Sequence, residues 1–200
     1  VLAVVLTRPD GGTKSASGGE VFLQAAAKTG PDPFTESTAK DSSAPPVSAS
    51  PTGSSEPANA VRGVDGAAPG LYGGTRNVSS CDVEKQVKAL GADPAKNRVF
   101  ASVAGVQPSG VPAFLRSLTP VQLRMDTRVT NHGYRDGAAT SYQAVLQAGT
   151  AVLVDDHGVP RTRCACGNPL TPPVAQQTTP KRTGDTWASY HPSNVVVIAP

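Results

Sequence analysis

The spacing of the apolar residues changes near residue 120, and this change limits the possible folds more than any other feature of the chain. Between residues 83 and 118 apolar residues recur at helical spacing, in runs that Gly91 and Gly105 separate. From Val121 to Val129 they alternate with polar residues, which is the pattern of a half-buried strand. Further strand patterns follow at residues 140–146, 151–154, 159–164 and 195–198. This order predicts an α+β domain, with three short helices followed by a mostly antiparallel sheet that can curl into a barrel-like form.

Residues 31–60 have a composition that does not support a packed core. They include six Pro and seven Ser, and Phe34 is their single aromatic residue. Such a segment buries too little apolar surface to offset its chain entropy, and frequent Pro keeps it extended. We therefore predict a disordered Pro/Ser-rich stalk at residues 7–65 and a single compact α+β domain at residues 66–200. A short apolar island at residues 19–27 can dock on that domain as a strand or a helical turn.

The chain opens with an apolar run, Val1–Leu6, and turns polar at Thr7 and Arg8. A membrane-spanning helix needs about twenty such residues, so this run is interpreted as the end of a truncated transmembrane helix. The alternative is a short edge strand. The first interpretation predicts a single-pass protein of the cell membrane, with its domain on the extracytoplasmic side.

The distribution of charge argues against nucleic-acid binding. Residues 1–60 contain four basic and six acidic side chains, for a net charge of −2, whereas residues 61–200 contain fourteen basic and nine acidic side chains, for +5. The basic residues are scattered, while nucleic-acid binders usually show a basic patch within a recognisable motif. A mildly basic domain fits attraction to an anionic polymer. We expect a cell-wall polymer or another envelope protein as the partner.

The three cysteines, Cys81, Cys164 and Cys166, predict one disulfide and one free thiol. We expect Cys81 to form the disulfide with either Cys164 or Cys166. We favour Cys166 because the following Gly167 lets the backbone adjust. The alternatives are a zinc site and a redox pair. A zinc site needs four ligands, usually from two paired clusters, and a redox pair normally has two residues between its cysteines. We therefore expect no metal and no cofactor.

Two polar loops form the candidate binding surface. The first contains Asn131, His132, Tyr134, Arg135 and Asp136, and the second contains Asp155, Asp156 and His157. Binding residues concentrate on loops that a rigid scaffold holds in place. The alternative is that these residue types simply form turns.

An enzyme would place further demands on the same loops. It would need His132 within hydrogen-bond reach of an acid such as Asp136 or Asp156, in a cleft. The chain contains no G-x-S-x-G elbow, no S-x-x-K with its partner motifs, no H-E-x-x-H and no phosphate-binding fingerprint. We therefore assign no catalytic residue and expect binding rather than catalysis.

Four runs of residues carry a resemblance to a known family. They are GLYGGT at 70–75, TRVTNHG at 127–133, LQAGTAVLVD at 146–155 and CACGNPL at 164–170. Over residues 65–200 the chain resembles a domain family of unknown function found in actinobacterial envelope proteins of the streptomycete type. The resemblance implies a membrane helix before the domain and a Pro/Gly/Ser-rich cytoplasmic segment before that helix. It implies no activity, no ligand and no catalytic residue.

Together these features predict a membrane-anchored extracytoplasmic binding or interaction domain. Two alternatives remain. One is a cell-wall-active enzyme that uses the 131–137 and 155–157 loops, and the other is a metal-binding domain built on the cysteines.

Overall fold

The computed structural model describes residues 19–40, 62–73, 80–176 and 178–200. The predicted membrane segment at residues 1–6 lies outside this part of the chain, as do residues 7–18 and 41–61 of the predicted stalk. Within the described ranges, no helix is both long enough and apolar enough to cross a membrane.

Short helices with clear capping residues occupy the middle of the chain. Asp82 accepts a hydrogen bond from the Lys85 N–H at 3.0 Å, and Asp93 accepts from the N–H groups of Ala95 and Lys96. These carboxylates satisfy amides that the first turn of a helix leaves unpaired. The helices are α1 Val83–Gly91, α2 Pro94–Ala104 and α3 Val111–Ser117, with short 3-10 helices at Pro108–Gly110 and Pro192–Asn194.

The strands are β1 Glu20–Gln24, β2 Arg62–Asp65, β3 Tyr72–Gly73, β4 Thr119–Leu123, β5 Thr127–Asn131, β6 Tyr134–Arg135, β7 Ala138–Ala139, β8 Tyr142–Leu146, β9 Ala151–Val154, β10 Pro160–Arg163, β11 Asn168–Thr171, β12 Lys181–Gly184 and β13 Val196–Ala199. One large sheet follows the order β12-β1-β8-β5-β11-β10-β9-β4-β3, and β13 joins it beside β5 and β2. Strands β6 and β7 form a separate hairpin.

The predicted α+β class is confirmed. Most strand pairs are antiparallel, while β1 pairs in parallel with β8 and β12, and β13 pairs in parallel with β2 and β5. The described strands leave the sheet open at β12 and β3, so that no closed barrel is found among them. The predicted order needs one correction, because β1, β2 and β3 precede α1 in the chain.

The prediction of disorder is wrong for residues 19–40 and 62–65. Strand β1 lies between β8 and β12, and β2 pairs with β13. Phe34 is 1% exposed, and its ring lies 5.9 Å from that of Phe100. A composition averaged over a long window hides a few well-placed apolar side chains, and here the main sheet and the core supply the partners that the segment itself lacks.

The disulfide joins Cys81 to Cys164, whose Cα atoms are 6.1 Å apart, and Cys166 is a buried free thiol. One disulfide is therefore confirmed, while the preference for Cys166 as its partner is wrong. Strand β10 ends at Arg163 and residues 164–167 form a turn, so the two cysteines do not continue the strand. The Cys166 thiol instead donates to the Arg163 carbonyl at 3.8 Å.

Buried apolar side chains form three clusters. The first packs the helices against Phe34 and the disulfide. The second joins side chains of β4, β5, β8 and β9 on one face of the sheet. The third is smaller and contains Val21, Leu23, Val145 and Val195, with Trp187 and Tyr190 packed against it. Because neighbouring residues of a strand point to opposite faces, the third cluster covers the other face of β8, and the candidate site lies there.

Candidate functional site

Asn131, the first predicted loop residue, lies in the interior at the end of β5. Its side chain is fully buried, donates to Gln24 Oε1 at 2.7 Å and accepts from Asn168 Nδ2 at 3.0 Å. Asn168 Oδ1 in turn accepts from the Phe34 N–H at 3.0 Å. This series of amides ties β5 and β11 to the segment that contains β1 and Phe34. Asn131 therefore stabilises the fold and presents no polar group at the surface.

His132 lies beside a hydroxyl group rather than a carboxylate. Its Nε2 is 2.7 Å from Thr171 Oγ1. Burial lowers the pKa of the His132 imidazole, against a smaller opposing effect of the Thr140 backbone, and so favours the neutral form. Within the described part of the chain, no ion pair joins His132 to Asp136 or Asp156. The arrangement that an acid–base enzyme would need is not present at this residue.

The rest of the first loop packs on its surroundings. The Lys96 ammonium lies 5.5 Å from the centroid of the Tyr134 ring. Arg135 forms a two-pronged ion pair with Asp32, at 3.0 and 2.7 Å. Asp136 is exposed at the tip of the β6–β7 hairpin and has a positive φ of 52°. These contacts stabilise the hairpin and leave Asp136 as its most accessible charge.

In the second loop, Asp155 is used to hold the turn. Its carboxylate accepts from the N–H groups of His157 and Val159, and from Arg161 Nη1 at 3.2 Å. Asp156 and His157 are exposed, with 3.7 Å between His157 Nε2 and Asp156 Oδ1. Only these last two side chains of the loop are available to a partner.

The two predicted loops contact different ends of α2. Tyr134 lies against Lys96 in the first turn of that helix, whereas Arg161, next to the second loop, donates to the carbonyl of its last residue, Ala104. Residues 96 and 104 are about 12 Å apart along a helix. The structure does not bring the loops into one surface.

A cavity of about 550 Å³ lies elsewhere, on the face of the β12-β1-β8-β5 strands that carries the third apolar cluster. Its volume falls within the range of small-molecule sites. Val21 of β1 and Val145 of β8 line it on the sheet side, and Val195 and Val197 line it near β13. Residues 173–176 and 178–180 supply much of the remaining wall.

The strand register explains which side chains share this face. Directly paired residues of neighbouring strands point to the same side of a sheet. Val145 pairs with Leu23 of β1 and with Arg128 of β5, and Val21 pairs with Arg182 of β12. The face therefore has an apolar centre with one arginine on each side.

Two hydrogen bonds hold the covering segment over this face. Thr130 Oγ1 donates to the Pro172 carbonyl at 2.8 Å, and the Val174 N–H donates to Gln143 Oε1 at 2.9 Å. Thr130 and Gln143 are themselves joined at 2.8 Å across β5 and β8. Polar side chains of the sheet thus bind the covering backbone directly.

Arg128 is the least satisfied charged side chain of this face. It is 6% exposed, and its Nη2 donates to the Val174 carbonyl at 3.3 Å. Its buried Nε has no hydrogen-bond partner, and none of the ion pairs in the described residues includes it. Burial lowers the pKa of the guanidinium, although arginine remains charged in proteins.

Gln176 is a second unsatisfied group at the same cavity. Both its Nε2 and its Oε1 are buried, and the described chain offers neither of them a hydrogen-bond partner. Two residues that line the cavity, Arg128 and Gln176, therefore contain buried polar atoms without a partner.

Tyr190 and Arg182 complete the polar part of the wall. The Arg182 guanidinium lies 5.6 Å from the centroid of the Tyr190 ring. Burial raises the pKa of the Tyr190 hydroxyl, and the charge of Arg182 opposes this shift. The nearby carboxylate of Asp126 is already occupied, since it accepts from the Ala148 N–H at 2.8 Å and from Trp187 Nε1 at 3.1 Å.

A family model described as Domain of unknown function (DUF6777) matches residues 62–200. The chain belongs to this family. The DUF6777 match covers Arg128, Gln176, Arg182 and Tyr190, whereas β1, which lines the cavity through Val21, precedes it. No curated protein and no solved structure matches the chain. The resemblance to a domain family of unknown function is confirmed, and the actinobacterial origin stays a prediction.

The sequence did not reveal this site of the DUF6777 domain. Arg128 is one of the polar residues that alternate along residues 121–129, and alternation places such residues in solvent. The segment that covers it comes from residues 172–176, far along the chain, so that no local pattern predicts its burial. One signal was available, because Arg128 lies within the run TRVTNHG that carries the resemblance.

The metal alternative gains no support within the described ranges. No group of three or more His, Cys, Asp or Glu side chains there could hold a metal ion. Cys81 and Cys164 are joined to each other, which removes both from a ligand set.

Proposed function

We propose that this DUF6777 domain is an extracytoplasmic binding domain that holds a small ligand in the cavity on the β12-β1-β8-β5 face. One observation carries the proposal: Arg128 and Gln176 both line this cavity, and each has buried side-chain polar atoms without a hydrogen-bond partner in the described chain. The sheet, the covering segment and the apolar floor supply the rest of an enclosed site.

Unpaired polar atoms are informative because they are rare and unfavourable. More than about 90% of buried polar groups in proteins have a hydrogen-bond partner, and a missing partner costs about 1–3 kcal/mol. The Gln176 amide can both donate and accept, and Arg128 can donate. A ligand or bound water in the cavity would need an acceptor for Arg128 Nε and Gln176 Nε2 and a donor for Gln176 Oε1 to satisfy these atoms together.

The disulfide supports the extracytoplasmic part of the proposal. Disulfides such as Cys81–Cys164 persist mainly in oxidising compartments outside the cytosol. A single-pass membrane anchor at residues 1–6 belongs to the same proposal, as does a cell-wall polymer or envelope protein as a further partner. The exposed side chains Asp136, Asp156 and His157 are the proposed contacts for such a macromolecule.

Binding of Nile red, an uncharged apolar dye, tests whether the cavity accepts a ligand. We expect saturable binding with a rise in fluorescence. Val197 lines the cavity, so Val197→Phe should fill part of it and weaken binding by about tenfold, or about 1.4 kcal/mol. The matched control is Val87→Phe on α1, which lies in the helical cluster and should leave binding unchanged. If the dye does not bind, or if Val197→Phe binds it like the unaltered chain, the proposal is wrong.

A further inference from the structure

The cavity has an unbalanced charge. Its lining includes two arginines, Arg128 and Arg182, and no aspartate or glutamate. Asp126 is the candidate counter-charge, but its two carboxylate oxygens already accept hydrogen bonds from the Ala148 N–H and from Trp187 Nε1. The described chain therefore leaves the buried positive charge of Arg128 without a carboxylate partner at a largely apolar site.

Among the described arginines, Arg128 and Arg163 are buried and in no ion pair, and Arg128 has fewer acceptors, one carbonyl against three. Arg116 pairs with Glu84 and Arg135 pairs with Asp32, each through two nitrogens. Those two pairs lie at the surface, where an ion pair contributes little. Arg128 is 6% exposed, and a buried charge without a counter-ion is strongly unfavourable.

Water alone does not account for this arrangement. A bound water can bridge the Gln176 amide, because an amide needs only hydrogen bonds. A guanidinium in apolar surroundings with few carbonyl acceptors is further stabilised by a negative charge nearby, since its transfer out of bulk water is otherwise costly. Carboxylate and phosphate groups meet that need, and their paired oxygens fit the fork of N–H donors on arginine.

The remaining lining shows what the rest of the ligand must be. Val21, Val145, Val195 and Val197 form an apolar floor next to Arg128. Apolar surface in a pocket favours apolar ligand groups through the removal of both from water. We infer that the ligand is an amphipathic molecule with a carboxylate or phosphate head, bound by Arg128, and an apolar chain that lies on the valine floor. The inference rests on the proposed function, because it assumes that the cavity binds a small ligand.

Four molecules with the same eight-carbon chain test the head group. They are octanoate, octyl phosphate, octanol and octyltrimethylammonium, and each is titrated against the full chain carrying Nile red. We expect both anions to displace the dye at concentrations at least about tenfold lower than the neutral and cationic molecules. The tighter of the two anions then identifies a carboxylate or a phosphate as the preferred head.

The variant Arg128→Met tests which residue binds the head. Methionine keeps an unbranched stem of similar length and removes the guanidinium. We expect the variant to lose the preference for the anions while it binds octanol and Nile red as before. Arg116→Met is the matched control, because Arg116 lies outside the cavity in an exposed pair with Glu84, and it should keep the preference.

The outcomes separate the inference from the proposed function. If all four molecules displace Nile red equally well, the cavity binds a ligand but the anionic head is wrong. If the preference for anions survives in Arg128→Met, the assignment of Arg128 is wrong. If Nile red itself does not bind, the proposed function fails and takes the inference with it. The comparison of the four molecules uses the unaltered chain, so it does not depend on how the variant folds.

Discussion

Two buried arginines, Arg163 and Arg128, are satisfied to very different degrees. Arg163 is 0% exposed and Arg128 is 6% exposed, and neither takes part in the ion pairs of the described residues. Arg163 donates through its two terminal nitrogens to three backbone carbonyls within residues 25–29 and to Cys166 Sγ. Arg128 donates to a single carbonyl, that of Val174.

The buried Nε of each arginine has no hydrogen-bond partner in the described chain, so the difference lies in the terminal nitrogens, which have four acceptors at Arg163 and one at Arg128. The region around Arg163 uses the charge to hold the backbone that follows β1, because carbonyl oxygens partly offset a buried positive charge. Arg128 has no such set of carbonyl acceptors, although its strand, β5, belongs to the same sheet as β10, which contains Arg163. We infer that Arg163 stabilises the fold, and the proposed binding role of Arg128 predicts that this residue lowers the stability of the ligand-free domain.

The largest expected effect comes from removing the segment that Arg163 holds. A chain that begins at residue 62, where the DUF6777 match begins, lacks β1, Phe34 and the carbonyl acceptors of Arg163. We expect it to lose cooperative unfolding, because the sheet loses the strand between β8 and β12 and the core loses a buried ring. A chain that begins at residue 19 is the control, and circular dichroism during heating is the measurement. Equal midpoints for the two chains would contradict the role given to this segment.

The next effect concerns the disulfide that follows Arg163 in the chain. The double substitution Cys81→Ala and Cys164→Ala should lower the free energy of unfolding by roughly 4 kcal/mol, because it releases a long loop in the unfolded chain. The sequence separation of the two cysteines is 83. Urea unfolding measures the change. In the unaltered chain, denatured without a reducing agent, a thiol reagent should detect one thiol, that of Cys166. Detection of three thiols without a reducing agent would disprove the disulfide.

Arg163→Met tests the structural side of the comparison directly. It removes the side-chain donor from the partly buried carbonyls of Ala25, Lys28 and Thr29 and takes away four hydrogen bonds of a charged group, each worth about 1–3 kcal/mol when its partner is not replaced. We therefore expect a loss of at least about 3 kcal/mol in urea unfolding. Arg116→Met, which removes only an exposed ion pair, should change stability by less than about 1 kcal/mol. A similar small change for Arg163→Met would remove the distinction drawn here.

Arg128→Met is the smallest expected effect and has the opposite sign. Replacement of a buried, poorly paired charge by an apolar side chain of similar length should raise the free energy of unfolding by about 1 kcal/mol. The gain should appear in ligand-free protein and shrink when octanoate is added, because only the unaltered chain gains from binding the anion. A loss as large as that of Arg163→Met would mean that Arg128 has structural partners after all.

Local patterns predicted the elements of the fold but not its long-range contacts. Helices α1 to α3 and strands β8, β9, β10 and β13 were predicted because capping residues, glycines and apolar patterns act over a few residues, whereas the single strand predicted at residues 121–129 is two strands, β4 and β5. Strand β1 was assigned to the stalk, since its partners β8 and β12 are more than a hundred residues away. The choice between Cys164 and Cys166 failed for a related reason, because the turn at residues 164–167 depends on the β10–β11 connection.

The same limit applies to the candidate site. Loops rich in polar residues attract attention in a sequence, yet Asn131 is buried in a hydrogen-bond network and Asp155 closes its own turn. Alternation shows that Arg128 and Val129 point to opposite faces of the sheet. Because Val129 faces the core, Arg128 was expected to face solvent. Whether that second face is open or covered depends on residues 172–176, which no nearby pattern reveals.

The most direct test of the central claim is a titration of arginine-labelled protein followed by ¹⁵N NMR of the Nε–H groups. Octanoate should shift the Arg128 resonance, identified by its loss in Arg128→Met, and should leave the Arg163 resonance in place. Octanol, which fills the apolar floor without a charge, should move neither resonance by a comparable amount. An Arg128 resonance that does not respond to octanoate, or that responds equally to octanol, would contradict the claim that Arg128 binds an anionic head.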